Sequence, residues 1–166
     1  CTITAMLALH LAMASLQVRW KEKRYEISRW LLCGAMLLFS IHYFLQMTLG
    51  FRGQGADVGA VFNIMFYTPI SFIITLSIIN MESTRNVMRR YCLRSAAAYA
   101  LIVAIFIFGV FSNKSLHLGG LLYVMLALFM GSMAYFIYAS YTEVLKRKKK
   151  LLEESAGDLL PHVRYA

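Results

Sequence analysis

The sequence predicts an all-α polytopic membrane bundle of about five spans, with the N-terminus outside and the C-terminus in the cytoplasm. Three observations carry this. Of 166 residues 60% are hydrophobic and only 15% charged, against about 45–50% and about 25% in soluble domains, and the mean hydropathy is +0.61. The apolar residues gather in five runs that contain no Asp, Glu, Lys or Arg. Lys and Arg fall almost wholly in alternate connections.

A span needs roughly 20 apolar residues to cross about 30 Å of hydrocarbon. The runs are residues 1–18, 30–49, 59–81, 95–111 and 119–141. One charge at a helix centre costs roughly 2.5–3.5 kcal/mol on insertion scales, which accounts for their purity. The runs do not alternate as barrel strands do, so helices are the structure that satisfies the backbone in lipid. Residues 1–141 thus form a transmembrane domain, and residues 142–166 a cytoplasmic juxtamembrane helix and linker. Cys1 opens the chain inside an apolar stretch without an initiator Met, which reads as a truncated start, with a lipidated cysteine as the alternative. Whether Ala166 is a native end stays open.

Orientation follows from the basic residues. Arg19, Lys21, Lys23, Arg24 and Arg29 precede the second run, Arg85, Arg89, Arg90 and Arg94 follow the third, and Lys146, Arg147, Lys148, Lys149, Lys150 and Arg164 follow the fifth. Only Arg52 and Lys114 lie in the other connections, a split of fifteen to two that puts the basic side in the cytoplasm. Trp20, Trp30, Tyr91, Tyr138 and Tyr141 fall at the same edge, at headgroup level. This placement in short blocks reads as topology signal and excludes direct nucleic-acid contact by this segment. The outer connections are too short to fold into a binding module, and Gly50, Gly53 and Gly55 suit a turn at positive φ.

The chemistry is sparse. The three cysteines, Cys1, Cys33 and Cys92, have neither disulfide-framework nor zinc spacing. With no Walker loop, GxSxG, HExxH or paired carboxylates, no catalytic residue, metal ligand or cofactor is expected. No acidic residue lies within a run, which argues against an ion-coupled transporter.

Neutral polar residues in the runs, His10, His42, Gln46, Asn63, Thr68, Ser71, Thr75 and Asn80, are expected mainly to hold helices together. His10 reads as a packing residue. His42 and Gln46 are four apart, as are Asn63 and Tyr67, and the short connection makes their helices antiparallel neighbours. Two readings are open: a small cavity at the outer side lined by His42, Gln46, Asn63 and Tyr67 as a ligand site, or mutual packing of the same residues. Pro69 is expected to kink its helix and open space beside Tyr67 and Asn63, with Asp57 and Arg52 either at the rim or paired with each other in solvent.

The fifth run continues without a breaker into 142–154, so its helix should enter the cytoplasm. Val144, Leu145, Leu151 and Leu152 recur near heptad spacing, a signal-transmitting face that docks or forms a homodimer. Lys146, Arg147, Lys148, Lys149 and Lys150 serve anchoring and topology and would attract anionic lipid at about 1 kcal/mol each. Gly157 and Pro161 are expected to end the helix near 155–158.

The phrase Ile41-His42-Tyr43-Phe44-Leu45-Gln46, the loop Leu49 to Gly55 and the stretch Asn63 to Phe72 resemble the membrane region of certain bacterial signalling proteins. There a multi-span N-terminal region is joined to a cytoplasmic AraC-type helix-turn-helix domain or, less often, a histidine kinase. The tail from Lys148 to Tyr165 is similar to the linker such proteins carry. The resemblance implies a sensor or regulatory segment of the bacterial inner membrane whose output lies past Ala166. The alternatives from other classes are a small transporter or channel subunit, a lipid-acting enzyme, and a structural membrane partner.

Overall fold

The structure, a computed structural model, describes residues 2–13, 23–50, 53 and 55–163, with side chains described from 3 to 153 within those ranges. Five helices make up the fold: α1 (Thr2–Met13), α2 (Lys23–Leu49), α3 (Ala56–Glu82), α4 (Arg85–Asn113) and α5 (Gly120–Val163). The described residues contain no strand.

Four of these helices, α2 to α5, are long and apolar enough to cross a membrane. The first is shorter than the sequence suggests. Its 12 residues rise only about 18 Å at ~1.5 Å per residue, and the rest of that run, 14–18, lies outside the described residues together with Arg19, Trp20 and Lys21. The other helices overrun their apolar runs at the basic end. There, α2 begins at Lys23 and α4 at Arg85, because residues such as Lys, Arg and Glu are good helix formers and nothing in these stretches breaks the backbone.

The helix at the centre is α3, packed on α2, α4 and α5, whereas α1 packs on α2. Between α1 and α2 the contact is made by small residues: Ala8 and Ala35 are buried, Ser40 Oγ donates to Thr4 Oγ1 at 2.8 Å, and Cys33 Sγ donates to the Ala8 carbonyl at 3.3 Å. Small side chains let backbones approach, the route to van der Waals packing where lipid offers no hydrophobic drive. His10 points away from this contact and is exposed, which corrects the expectation of a packing residue.

The α2–α3 pair is antiparallel and closed at both ends by polar bonds. At the basic end Asn80 Nδ2 donates to the Arg24 carbonyl and to Ser28 Oγ, both at 2.9 Å, and Ser28 Oγ donates to the Ser77 carbonyl at 2.9 Å. At the other end Gln46 Nε2 donates to Asn63 Oδ1 at 2.7 Å. Not every polar residue joins helices: Thr68 and Thr75 donate to carbonyls one turn back in their own helix, at 2.6 and 2.9 Å.

In the half of the bundle away from the basic end, Val61 and Ile64 of α3, Ile102 of α4, and Leu118 and Met125 form one buried cluster. Leu118 belongs to the loop by sequence, yet it folds back into this cluster and is 1% exposed. On the inner half, Phe136 of α5 packs on Phe72 with ring centroids 4.7 Å apart. The two outer connections lie side by side, since a Cβ on Gly55 would come within 3.3 Å of the His117 ring. Gly50 and Gly55 hold φ of +58° and +128°, as the turn chemistry predicts.

The last helix does not end near 155–158 but continues to Val163. A glycine in a helix costs only about 1 kcal/mol. Pro161 sits within the last turn, where the loss of one backbone bond shortens the helix by little.

Candidate functional site

The fold brings His42, Gln46, Asn63 and Tyr67 together on the α2–α3 interface. The two amides bond each other, and His42 is 1% exposed, with its ring centroid 4.9 Å from both Phe66 and Tyr67. Phe39 stacks on Tyr67 at 5.7 Å and meets Tyr43 edge-on at 5.0 Å. A layer of aromatic rings therefore packs around the histidine, with a neutral amide pair beside it on the side away from the basic end. Such a set can exchange hydrogen bonds. Asp57 is exposed near this end, and its expected companion Arg52 lies outside the described residues.

Pro69 opens space on the other face of α3. A cavity of about 370 Å³ is lined by Leu38, Val61, Phe62, Met65, Phe66, Pro69, Tyr99 and Phe106. The reason is geometric. Proline at position 69 cannot donate to the carbonyl four residues back, that of Met65, so the disturbance falls on the Met65 face. Asn63 and Tyr67 are each two residues from Met65, about 200° around the helix at 3.6 residues per turn. The Tyr99 hydroxyl of α4 donates to the Met65 carbonyl at 3.3 Å and supplies the donor that Pro69 lacks.

This makes a testable pair. Tyr99→Phe should cost roughly 0.6–2 kcal/mol of bundle stability, the range for an interhelical bond in lipid. In a Pro69→Ala background, where a backbone N–H reaches Met65 again, the same change should cost close to nothing. Denaturation in mixed micelles measures both, and equal costs in the two backgrounds would disprove the compensation.

At the basic end, α2, the α3–α4 turn and α5 converge. Arg24 donates to the Ser83 carbonyl at 3.0 Å. Arg147 donates to the Met81 carbonyl at 2.9 Å and its Nε lies 3.3 Å from Glu82. Lys146 bonds Glu143 at 2.8 Å, and Glu143 is 8% exposed. That hydrogen bond and the Glu143 charge hold the Lys146 ammonium above its ordinary range. These groups frame a second cavity of about 370 Å³, lined by Arg24, Glu82, Ser83, Thr84, Val87, Glu143, Lys146, Arg147, Lys150 and Leu151.

Sequence reasoning found the run Lys146 to Lys150 but not this arrangement. Lys146, Arg147 and Lys150 share the face toward the cavity, whereas Lys149 pairs at 3.9 Å with Glu153 and Lys148 is exposed. Arg24, read only as a topology signal, and Glu82 and Glu143 were not linked to that basic run, because each stands at the edge of a different apolar run. The one local signal was Glu143 three and four residues ahead of two basic residues, a helical pairing distance. Val144, Leu145, Leu151 and Leu152 are all exposed, with Leu151 also at the cavity edge. Among the described residues no three His, Cys, Asp or Glu side chains gather where a metal ion could be held.

Helices whose apolar stretches are of membrane-crossing length, outward-facing Trp30, Tyr138 and Tyr141 at their basic edge, and polar bonds between helices define a multi-pass membrane protein of the helical-bundle class. No family model, curated protein or solved structure matches this chain.

Proposed function

We propose that the chain is the membrane-embedded sensor or regulatory region of a bacterial inner-membrane signalling protein, with its N-terminus outside and its basic end in the cytoplasm. A stimulus at the His42, Gln46, Asn63 and Tyr67 cluster changes how α3 packs and resets the posture of α5. The cytoplasmic part of α5, through Val144, Leu145, Leu151 and Leu152, passes this to an output, a DNA-binding domain by the resemblance above.

The observation that carries the reading is the length of α5. Its 44 residues form one helix, roughly 66 Å at ~1.5 Å per residue, when about 30 Å suffices to span hydrocarbon. A rigid rod that touches the central helix along the bilayer and then leaves it can carry a displacement outward. Arg147 gripping Met81 and Glu82 ties the two helices where the rod emerges. The magnitudes are suited to switching. An interhelical bond such as Gln46–Asn63 is worth roughly 0.6–2 kcal/mol, so a ligand that replaces it can shift a packing equilibrium by about 3- to 30-fold.

The test uses spin labels at positions 86 and 148 in a cysteine-free background, reconstituted in vesicles. Gln46→Leu with Asn63→Leu should shift or broaden the distance distribution between the labels, and a distribution identical to that of the parent would overturn the reading. Thiol reagents should reach a cysteine at position 148 only from the cytoplasmic side; labelling from outside intact cells would refute the orientation.

A further inference from the structure

We infer that α5 pairs with the α5 of a second copy of this chain, parallel and in register, along one face that runs through the membrane and on past it. Within the apolar run this face holds Val124, Ala127, Gly131 and Ala134, and toward the basic end Tyr138, Tyr141, Leu145, Lys148 and Leu152. The steps between successive members alternate three and four without a break, the spacing of a coiled-coil seam. All nine are exposed in the single chain, whereas the buried residues of α5, Met125, Phe136, Ala139 and Glu143, fall outside the seam.

Lipid can cover the first part of this face but not the second. Roughly 20 residues cross the hydrocarbon, so Leu145 and Leu152 stand beyond it, on either side of the basic run from Lys146 to Lys150, and they are 44% and 61% exposed. Gly131 asks for a neighbour on separate grounds. A glycine in a helix interior costs about 1 kcal/mol against alanine, and a Cβ on Gly131 would meet nothing within 4 Å, so no contact inside this chain requires a glycine there. With Ala127 and Ala134 on the same seam it forms a flat strip that another backbone can approach closely.

The seam keeps one phase from membrane to water, so what covers it is a helix that crosses the same bilayer and leaves on the same side. A second α5 meets both conditions, because copies of one sequence insert the same way and their fifth helices stand parallel and level. In register, small residues meet small ones at 127, 131 and 134. A repeat of 3.5 residues winds the pair left-handed and keeps the seam closed from Val124 to Leu152, about 42 Å at ~1.5 Å per residue. With the flanking heptad positions the strip holds eighteen residues on each helix, sixteen of them exposed, close to the about 20–30 a side of a standard interface. Charge allows the approach. Lys146, Arg147 and Lys150 line the cavity on the other side of α5, and Lys149 lies 3.9 Å from Glu153, so Lys148 is the one charged member of the seam. A single such layer fixes register at a cost in stability. The pairing does not rest on the sensor reading and goes beyond it.

The test uses the full chain in vesicles of phosphatidylcholine and phosphatidylglycerol over a series of lipid dilutions, with the monomer–dimer equilibrium read by energy transfer between labelled copies. The parent should form a saturable dimer. Gly131→Leu fills space that is open in the single chain and should weaken the dimer by roughly tenfold or more at unchanged helix content. Ala104→Leu adds more bulk on an exposed face of α4 and should change it by less than about twofold. Lys148→Leu removes the charged layer and should tighten it by roughly tenfold. In a background free of native cysteines, single cysteines placed along 141–152 should cross-link to their counterparts most strongly at 141, 145, 148 and 152 and most weakly at 143, 147 and 150. A parent that stays monomeric at every dilution, equal effects of Gly131→Leu and Ala104→Leu, or cross-linking without the three–four period would overturn the inference.

Discussion

Phe136→Ala is expected to lower the stability of the bundle by about 2–3 kcal/mol, below the roughly 3–5 kcal/mol of a Phe→Ala change in a water-soluble core. Phe136 is 2% exposed and the bulkiest of the fully buried side chains. It contacts Phe72 of α3 at 4.7 Å and lies 6.4 Å from Tyr91 of α4. In lipid the transfer part of the cost falls away, because the separated helix also buries its ring in hydrocarbon. What remains is lost packing and the cavity left behind. The change should also be felt beyond the membrane, since Phe136 lies about two turns before Glu143 and about three before Arg147 and holds α5 against the central helix. Unfolding in mixed micelles gives the stability, and spin labels at 86 and 148 should report a broader distance distribution. A loss below about 0.5 kcal/mol with unchanged distances would show that the α3–α5 contact is not a principal joint.

Gly109→Leu is expected to cost more still, upwards of about 3 kcal/mol, at the upper end of what overpacking a filled core costs. Even an added Cβ would stand 2.5 Å from Leu118 Cδ2 and 3.2 Å from Leu121 Cδ1. Leu118 is itself buried in the packed cluster, so its δ-methyl must shift within that cluster to give way. The alanine variant separates two opposing effects. Removing a helical glycine favours the fold by up to about 1 kcal/mol, whereas the clash opposes it by about 1–3 kcal/mol, so Gly109→Ala should be destabilising on balance. Leu118→Ala makes room for the new methyl group. The double variant Gly109→Ala with Leu118→Ala should therefore be more stable than the sum of its parts predicts. Additive losses in a double-mutant cycle would mean that the close approach of the loop to α4 is not what constrains Gly109.

The outer cluster and the inner cavity differed in how far they could be read in advance. His42 with Gln46, and Asn63 with Tyr67, each repeat at four residues, and the loop between their helices is short. Their meeting was therefore a matter of helical geometry alone. Whether the amides would face a ligand space or each other was not, because that depends on the rotation of α2 against α3. The Gln46–Asn63 bond is what the structure places there. Pro69 was legible as a disturbance, but the side it would open on required asking which carbonyl loses its donor. Met65, and with it the cavity toward α4, is the answer. Glu82 was invisible as the partner of Arg147, since pairing across helices leaves no periodic trace in either one, whereas Glu143 stands one helical turn before Lys146 on α5.

The sequence by itself determined the class of this protein: uncharged runs of spanning length, helical because lipid leaves no other partner for the backbone, with the basic residues segregated to one end. It determined these things because they depend only on composition along a segment. The tertiary structure alone decided that α3 is the central helix, that Leu118 returns from the loop into the core, and that three residues of a five-residue basic run join Arg24 around one cavity. Apolar helices in lipid present nearly equivalent faces to one another. Which face packs where is set by the sum of close contacts and a few polar bonds between distant segments, and these exist only once the helices have met.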